Sequence, residues 1–175
     1  MDAYGNLTSV PEFSNGRRLR LISYMDPDIA FGLHASRPHG GGAPFIGEIE
    51  ALSLEYFIGV QRLSSGGPDS SVLRAEASGD DTFTLAWDAD PGCLLSWGGG
   101  SFLLSNDKSP LEDMGQSPAS RFTVDFVDGC WFALNNPDRN RVVDVSRFGT
   151  AERTPIIPFA WNGGDNQKWR AETVS

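Results

Sequence analysis

Apolar residues recur along the chain in short runs, each bounded by Gly, Pro, Asn or Asp. β-Branched, aromatic and aliphatic side chains fill these runs, a pattern typical of the strands of an all-β protein. The pattern predicts twelve strands in three groups of four. The first group is 18–24, 30–35, 44–54 and 72–77; the second is 82–88, 93–97, 101–105 and 121–127; the third is 130–135, 141–145, 155–161 and 167–172.

Helical periodicity is poor, and residues 47–57 form the one candidate helix. Ile49, Leu52 and Phe57 fit a helical face only loosely, and the alternation of polar and apolar residues fits a strand no better. Any helix is therefore expected within residues 47–56, where it would compete with the third predicted strand.

Two stretches of the chain resemble each other at a nearly constant spacing. Pro27-Asp28 and Pro137-Asp138 each precede a strand-like run, and Ser36-Arg37 and Ser146-Arg147 follow these runs, so that both pairs are 110 positions apart. Self-similarity of this kind is the sequence signature of internal repeats.

Further matches extend this internal similarity. Residues 44–46 correspond to residues 155–157 at a spacing of 111, and the large apolar residues Leu73, Phe122 and Trp169 follow one another at intervals of 49 and 47. The matches predict three repeats, about 16–79, 80–127 and 128–175, with an insertion near residues 47–67 in the first repeat.

Three four-stranded repeats predict a β-trefoil, in which the units close around a pseudo-threefold axis. Each unit alone would leave an apolar face and open strand edges, whereas six of the twelve strands together form a barrel without edges. Leu73, Phe122 and Trp169 are expected in the shared core, with further candidates in Leu19 or Leu21, Phe83 or Leu85, and Trp131 or Ala133. We predict one domain over residues 1–175, because neither half would have a core of its own.

Charge and hydrophobicity exclude several classes of partner. The net charge of −9 opposes binding to nucleic acid or to anionic membrane surfaces. No window of about 18 apolar residues exists, so no membrane insertion is expected. The N-terminal residues show no signal peptide, which favours a cytoplasmic protein or one released by a non-standard route. Cys93 and Cys130 are too few for a disulfide framework, and free buried thiols are favoured over a pair.

Catalytic constellations are weak in this sequence. The two histidines, His34 and His39, are too sparse for a zinc site, and no Gly-x-Ser-x-Gly segment occurs. The glycine runs Gly40–Gly42 and Gly98–Gly100 are not followed by the Lys-Ser/Thr of a phosphate loop. We therefore expect no enzyme, no catalytic residues, no metal and no cofactor.

The segment Gln167-Lys168-Trp169 follows Asn166 and the strand-like runs 141–145 and 155–159. This order resembles the last subdomain of the ricin B-chain-type β-trefoil lectins. The resemblance implies that Trp169 fills the barrel core, and that glycans or glycoproteins bind nearby, with galactose or N-acetylgalactosamine as the expected sugar type. A homodimer is one arrangement that would multiply such sites.

The resemblance also implies a site in the third repeat. Asp144 would accept hydrogen bonds from vicinal hydroxyls, Phe159 or Trp161 would stack on the sugar ring, and Asn166 would fix a further hydroxyl. Gln167 is the fifth candidate for contact with the ligand. Ile157 departs from the family, which often has a Gln two residues before the stacking aromatic.

Each of these site residues also has a purely structural interpretation. Asp144 and Asn166 can belong to turns and Phe159 to the core, and the Gln167 amide can bridge buried backbone groups. The corresponding positions of the other repeats, His34 in the first and Ser96 or Trp97 in the second, lack the carboxylate.

Two further functions fit a β-trefoil of this composition. A protease inhibitor would present a protruding loop, for which residues 64–71 and 105–120 are long enough. A toxin-associated subunit would bind another protein. Glycan binding would separate the lectin from both alternatives.

Overall fold

The computed structural model describes residues 1–13, 16–36, 55–66, 70–79, 81–106 and 120–175. These residues are built mainly of strands, with short 3-10 turns at Val10–Glu12, Leu63–Ser65, Ser146–Phe148 and Asp165–Gln167, which confirms the all-β prediction. The strands are β1 (Arg17–Ser23), β2 (Ile29–Ser36), β3 (Glu55–Arg62), β4 (Leu73–Gly79), β5 (Thr82–Trp87), β6 (Asp90–Trp97), β7 (Phe102–Asn106), β8 (Thr123–Asp128), β9 (Trp131–Asn135), β10 (Val142–Val145), β11 (Ile156–Phe159) and β12 (Trp169–Thr173).

Six strands close into a barrel. Strand β1 pairs antiparallel with both β12 and β4, β4 pairs with β5, and β9 pairs with both β8 and β12. Reciprocal backbone hydrogen bonds between Phe83 and Phe122, of 2.9 and 2.8 Å, complete the ring between β5 and β8. The remaining strands form the hairpins β2–β3, β6–β7 and β10–β11. A six-stranded barrel with three hairpins is a β-trefoil, as the sequence predicts.

One large side chain from each repeat meets in the barrel core. Leu73, Phe122 and Trp169 are all buried, with Trp169 wholly inaccessible to solvent. The Trp169 indole also donates from Nε1 to the carbonyl oxygen of Val143 at 3.0 Å, so its one polar atom is satisfied. The core prediction is therefore confirmed at the three positions that carry the repeat.

Of the two alternatives on β9, Ala133 is buried in the core and Trp131 is not. Trp131 is only partly buried and lies edge-on to Tyr24, with ring centroids 4.8 Å apart, whereas its neighbour Phe132 is fully buried. Phe13 from the N-terminal segment stacks on Phe83 at 4.7 Å and meets Phe132 edge-on at 5.4 Å. The core thus takes an aromatic residue from outside the predicted strands.

The third strand of the first repeat differs from the prediction. Residues 44–54, predicted as this strand, and residues 47–54 of the candidate helix lie outside the described residues, and the strand itself is β3 (Glu55–Arg62). Strand β3 pairs with β2 along its full length, from Ile29↔Arg62 to Ser36↔Glu55. The predicted insertion at 47–67 is therefore misplaced, because β3 occupies part of it. The extra residues fall instead between β2, which ends at Ser36, and β3, which begins at Glu55. They change the spacing between repeats from which the third strand was predicted.

Gly59 explains how β3 joins the third repeat. A Cβ atom at this position would lie 3.1 and 3.2 Å from the carbonyl oxygens of Thr154 and Arg153, too close to be accommodated without a shift. Without it, the backbones approach closely enough for Val60 N to donate to Thr154 O at 2.8 Å and for Arg153 N to donate to Val60 O at 2.7 Å. The first repeat is thereby fastened to the chain that enters β11.

Several composition-based expectations concern features away from the core. Cys93 and Cys130 are partly buried and form no disulfide, and desolvation raises the pKa of the Cys130 thiol. Across the described ranges, no helix is long and apolar enough to span a membrane. The loops on which the protease-inhibitor alternative depends lie largely outside those ranges, at residues 67–69 and 107–119.

Replacing Trp169 tests the shared core. Trp169→Ala removes a fully buried indole and leaves a cavity, so we expect a loss of about 3–5 kcal/mol in the free energy of unfolding. Trp161→Ala is the matched control, because Trp161 is 43% exposed and should change stability by about 0.5 kcal/mol or less. Urea unfolding followed by circular dichroism measures both. Equal losses for the two variants would contradict a core role specific to Trp169.

Candidate functional site

A groove of about 490 Å³ opens on the hairpin β10–β11 of the third repeat. Two short 3-10 turns contribute to its lining: Ser146–Phe148, in the connection between β10 and β11, and Asp165–Gln167, just before β12. The residues that line the groove are Asp144, Ser146, Arg147, Phe148, Ile157, Phe159, Asn162 and Asn166. Three of the five predicted site residues, Asp144, Phe159 and Asn166, are therefore brought together here.

Asp144 lies on β10, directly opposite Ile157 of β11. Its side chain is only 4% exposed, and its Oδ2 atom accepts a hydrogen bond of 2.8 Å from Nε2 of Gln167. Burial raises the pKa of the Asp144 carboxyl above its ordinary value of 3.8, although hydrogen bonds from Gln167 and Asn166 act in the opposite direction. The carboxylate is thus held in place at the floor of the groove with limited access to water.

Gln167 is fully buried and holds this floor together. Its Nε2 atom donates to Asp144 and, at 2.8 Å, to the carbonyl oxygen of Ala160, while its Oε1 atom accepts from the backbone N–H of Asn162 at 2.9 Å. Both ends of the amide are therefore committed within the protein. Gln167 positions Asp144 and the chain after β11, and it does not line the groove.

Asn166 carries a buried hydrogen-bond acceptor that no described donor satisfies. The side chain is 3% exposed, and its Nδ2 atom donates to the carbonyl oxygen of Val145 at 3.0 Å, which fixes the orientation of the amide. The Oδ1 atom is buried and has no hydrogen-bond partner within the part of the chain that the structure describes. Because an unpaired buried acceptor costs free energy, this atom is suited to a donor that a ligand supplies.

Gly164 packs closely against that acceptor, and only a residue without a Cβ atom fits there. A Cβ atom at this position would lie 2.5 Å from Oδ1 of Asn166 and 2.9 Å from Oδ1 of Asn162. The backbone of Gly164 is extended, with φ −66°, so the glycine is needed for space and not for an unusual conformation.

Two exposed aromatic rings flank the groove. Phe159 of β11 is 51% exposed and Phe148 of the turn after β10 is 56% exposed, so both present ring surface to solvent beside Asp144. Trp161, the other aromatic candidate, is 43% exposed but lines a separate groove with Asp125 and Arg139. The structure therefore places Phe159, and not Trp161, in the groove with Asp144.

Phe148 and Arg147 are groove residues that the sequence analysis missed as binding candidates. Both adopt left-handed backbone conformations, with φ 56° and 53°, which are uncommon for residues other than glycine. Such strained residues cluster at functional sites. The sequence signal was an aromatic residue in the turn directly after the predicted Asp144 strand.

The other two repeats have different residues where the third repeat has the hydrogen-bonded pair Asp144 and Gln167. In the second repeat the hydroxyls of Ser96 and Ser120 are 2.9 Å apart and both residues are buried. In the first repeat the ring of His34 stacks on Phe57 at 5.3 Å, with Nε2 3.0 Å from the carbonyl oxygen of Val60. No group of His, Cys, Asp or Glu in the described ranges has the arrangement of a metal site.

Comparison with known proteins supports the fold. No family profile and no curated protein matches the sequence. Among solved structures, the designed threefold symmetric protein ThreeFoil aligns with a TM-score of 0.63 and 15% identity, over 90% of this chain and 99% of that chain. The Polyporus squamosus lectin, solved with a human-type influenza-binding epitope, aligns with a TM-score of 0.62 and 11% identity, over 91% of this chain and 50% of that chain. The Rhizoctonia solani agglutinin aligns with a TM-score of 0.58 and 18% identity, over 92% and 96%.

These likenesses concern the fold alone. The chain spans about half the length of the Polyporus lectin chain, and the identities of 11–18% carry no residue-level correspondence. The β-trefoil that these proteins share with the chain agrees with the strand pairing, whereas the resemblance to the ricin B-chain type stays a prediction.

The raised pKa of Asp144 predicts a pH-dependent effect on stability. Because the folded pKa lies above the unfolded one, the contribution of this group favours folding fully below the unfolded pKa and is lost as pH rises through the folded pKa. Asp144→Asn removes this contribution. We therefore expect the free energy of unfolding of the variant, relative to that of wild type, to be higher at pH 7 than at pH 3. Denaturant unfolding of both proteins at the two pH values measures this difference. A relative loss over that interval would mean that the carboxylate form is favoured by folding.

Gly164→Ala tests the space around this buried acceptor. The added methyl group collides with the Oδ1 atoms of Asn166 and Asn162, so we expect overpacking to lower the free energy of unfolding by about 1–3 kcal/mol. Gly100→Ala is the control, because nothing lies within 4 Å of a Cβ atom there. Thermal unfolding of the two variants measures the difference. A Gly164→Ala variant as stable as Gly100→Ala would show that the amides move freely.

Proposed function

We propose that the chain is a non-catalytic carbohydrate-binding protein whose third repeat binds a glycan in the Asp144 groove. The observation that carries this proposal is the buried Asp144 carboxylate beside the unpartnered Oδ1 atom of Asn166, in a groove flanked by exposed aromatic rings. Two oriented acceptors and an aromatic face together match the chemistry of a sugar ring.

The acceptors match the hydroxyl-rich edge of a pyranose. A carboxylate can accept two hydrogen bonds from vicinal hydroxyls, and the donor from Gln167 goes to the Oδ2 atom of Asp144. Asn166 then accepts a further O–H or N–H donor through Oδ1. Because both residues are buried and already oriented, little conformational entropy is lost when the sugar binds.

The aromatic rings match the other face of the sugar. The C–H groups on one face of a pyranose form an apolar patch, and Phe159 and Phe148 each expose about half of their surface beside the acceptors. The position opposite Asp144 is Ile157, which supplies an apolar contact where the resembled lectins often have a Gln. The groove therefore has one hydrogen-bonding group fewer than those lectins. We expect a dissociation constant for a single site in the millimolar to micromolar range.

The described lining of the groove contains fewer carboxyl groups than glycoside cleavage ordinarily uses. Hydrolysis of a glycosidic bond ordinarily uses two carboxyl groups on either side of the bond. Of the described residues that line the groove, Asp144 alone has a carboxyl group. This supports recognition without catalysis.

Galactose or N-acetylgalactosamine is the sugar type that we propose. The resemblance at Gln167-Lys168-Trp169 supports it, and the epitope in the Polyporus lectin structure contains a galactose residue. N-acetylgalactosamine would add an amide N–H, which could donate a hydrogen bond to Oδ1 of Asn166. Titration calorimetry with both sugars, and with N-acetylglucosamine for comparison, would rank them.

Asp144→Asn tests the proposed site directly. Hydrogen bonds to a charged group contribute about 1.5–3 kcal/mol, so we expect the variant to bind galactose about ten- to a hundredfold more weakly at pH 7. Wild-type affinity should fall with decreasing pH, beginning above the ordinary aspartate pKa because burial raises the pKa of Asp144. Titration calorimetry from pH 4 to pH 7 measures both effects.

Asp165→Asn is the matched control for this experiment. Asp165 lies two positions before Gln167, is exposed, and forms an ion pair with Lys168 at 2.9 Å outside the groove. Its substitution should leave affinity unchanged at every pH. Equal affinities of wild type and Asp144→Asn would remove the third repeat as the binding site.

A further inference from the structure

A second, smaller groove includes Trp161, which lies two positions after Phe159 of the Asp144 groove in the chain that follows β11. It has a volume of about 140 Å³ and is lined by Trp161, Asp125, Arg139 and Val127 among others. At about 30 Å³ for each water molecule in the liquid, it holds roughly five waters, which suits one ring lying on a surface and not a chain of rings.

The two grooves share one wall. Phe159 and Asn162 line the Asp144 groove, whereas Trp161, which lies between them in the sequence, lines the smaller one. Because two residues of extended chain span at most about 7 Å, the Cα atoms of Phe159 and Trp161 lie close together, and so do the edges of the two grooves that these residues line. A ligand long enough to cross this wall from the first groove can therefore reach the second.

The smaller groove combines an apolar face with a polar edge. Trp161 and Val127 are 43% and 44% exposed, so apolar surface faces solvent. Beside them, Nε of Arg139 lies 3.1 Å from Oδ1 of Asp125, and both side chains remain about half exposed. Asn135 donates from Nδ2 to Oδ2 of Asp125 at 2.9 Å, which fixes the carboxylate. The groove thus offers an indole face together with both a fixed acceptor and a fixed donor.

We propose that this Trp161 groove is a second subsite, which binds the sugar ring next to the one in the Asp144 groove. The inference rests on the proposed function and deepens it, since it assigns an oligosaccharide as the ligand. The indole covers the C–H face of the second ring, while Asp125 and Arg139 exchange hydrogen bonds with its hydroxyls. Trp161 acts in binding the longer glycan, and Phe159 acts in binding the first ring.

The test compares a monosaccharide with disaccharides by titration calorimetry of the full chain. The probes are methyl β-galactoside and the β1,3- and β1,4-linked galactosyl-N-acetylglucosamine disaccharides. Wild type should bind at least one disaccharide more tightly than the monosaccharide. Trp161→Ala should weaken binding of that disaccharide about two- to tenfold and leave binding of the monosaccharide unchanged. Trp161→Phe, which keeps an aromatic face, should restore most of the loss.

Tyr24→Ala is the matched control, because Tyr24 is 45% exposed but lines neither groove. It should change neither affinity. Equal weakening of both ligands by Trp161→Ala, or no preference of wild type for a disaccharide, would overturn the second subsite while leaving the first intact. Absence of binding to all three probes would overturn the proposed function and this inference with it. If the monosaccharide binds wild type but not Asp144→Asn, the first site is supported whatever the result for Trp161→Ala, so the two hypotheses can fail separately.

Discussion

The hydrogen bond from Gln167 to the buried Asp144 carboxylate is the interaction on which the third repeat depends. A carboxylate that is 4% exposed is costly to ionise unless a donor faces it, and the fully buried Gln167 amide supplies one at 2.8 Å. The same amide ties down Ala160 and Asn162, which form the wall between the two grooves. Removal of Gln167 would therefore disturb the acceptor and the wall together.

The three repeats separate what the fold requires from what the site requires. A large apolar side chain reaches the barrel core in each repeat, through Leu73, Phe122 and Trp169. The polar pair is not kept: a carboxylate and an amide in the third repeat are replaced by the two hydroxyls of Ser96 and Ser120 in the second. Either pair satisfies buried polar atoms, so the barrel tolerates both. Of these two pairs, the one in the third repeat contains a charged acceptor.

The barrel was predictable because it rests on a periodic signal, the spacing of core residues. Asp144, Phe159 and Asn166 were predicted as site residues because the segment Gln167-Lys168-Trp169 and the runs before it resemble the last subdomain of ricin B-type lectins. The third strand of the first repeat was placed wrongly, because the long β2–β3 connection breaks the constant spacing between repeats. Phe148 was missed because its place in the groove depends on a left-handed backbone, which sequence periodicity does not reveal.

The pairing of β1 with β12 has a consequence for how the molecule forms. This seam joins Leu19 to Thr173, so its formation closes a loop that spans nearly the whole chain. Closing so long a loop costs conformational entropy, and pairings so distant in sequence form slowly. The last strand also carries Trp169 and lies just after Gln167. A folding intermediate without that strand therefore has neither a sealed barrel nor a formed recognition surface.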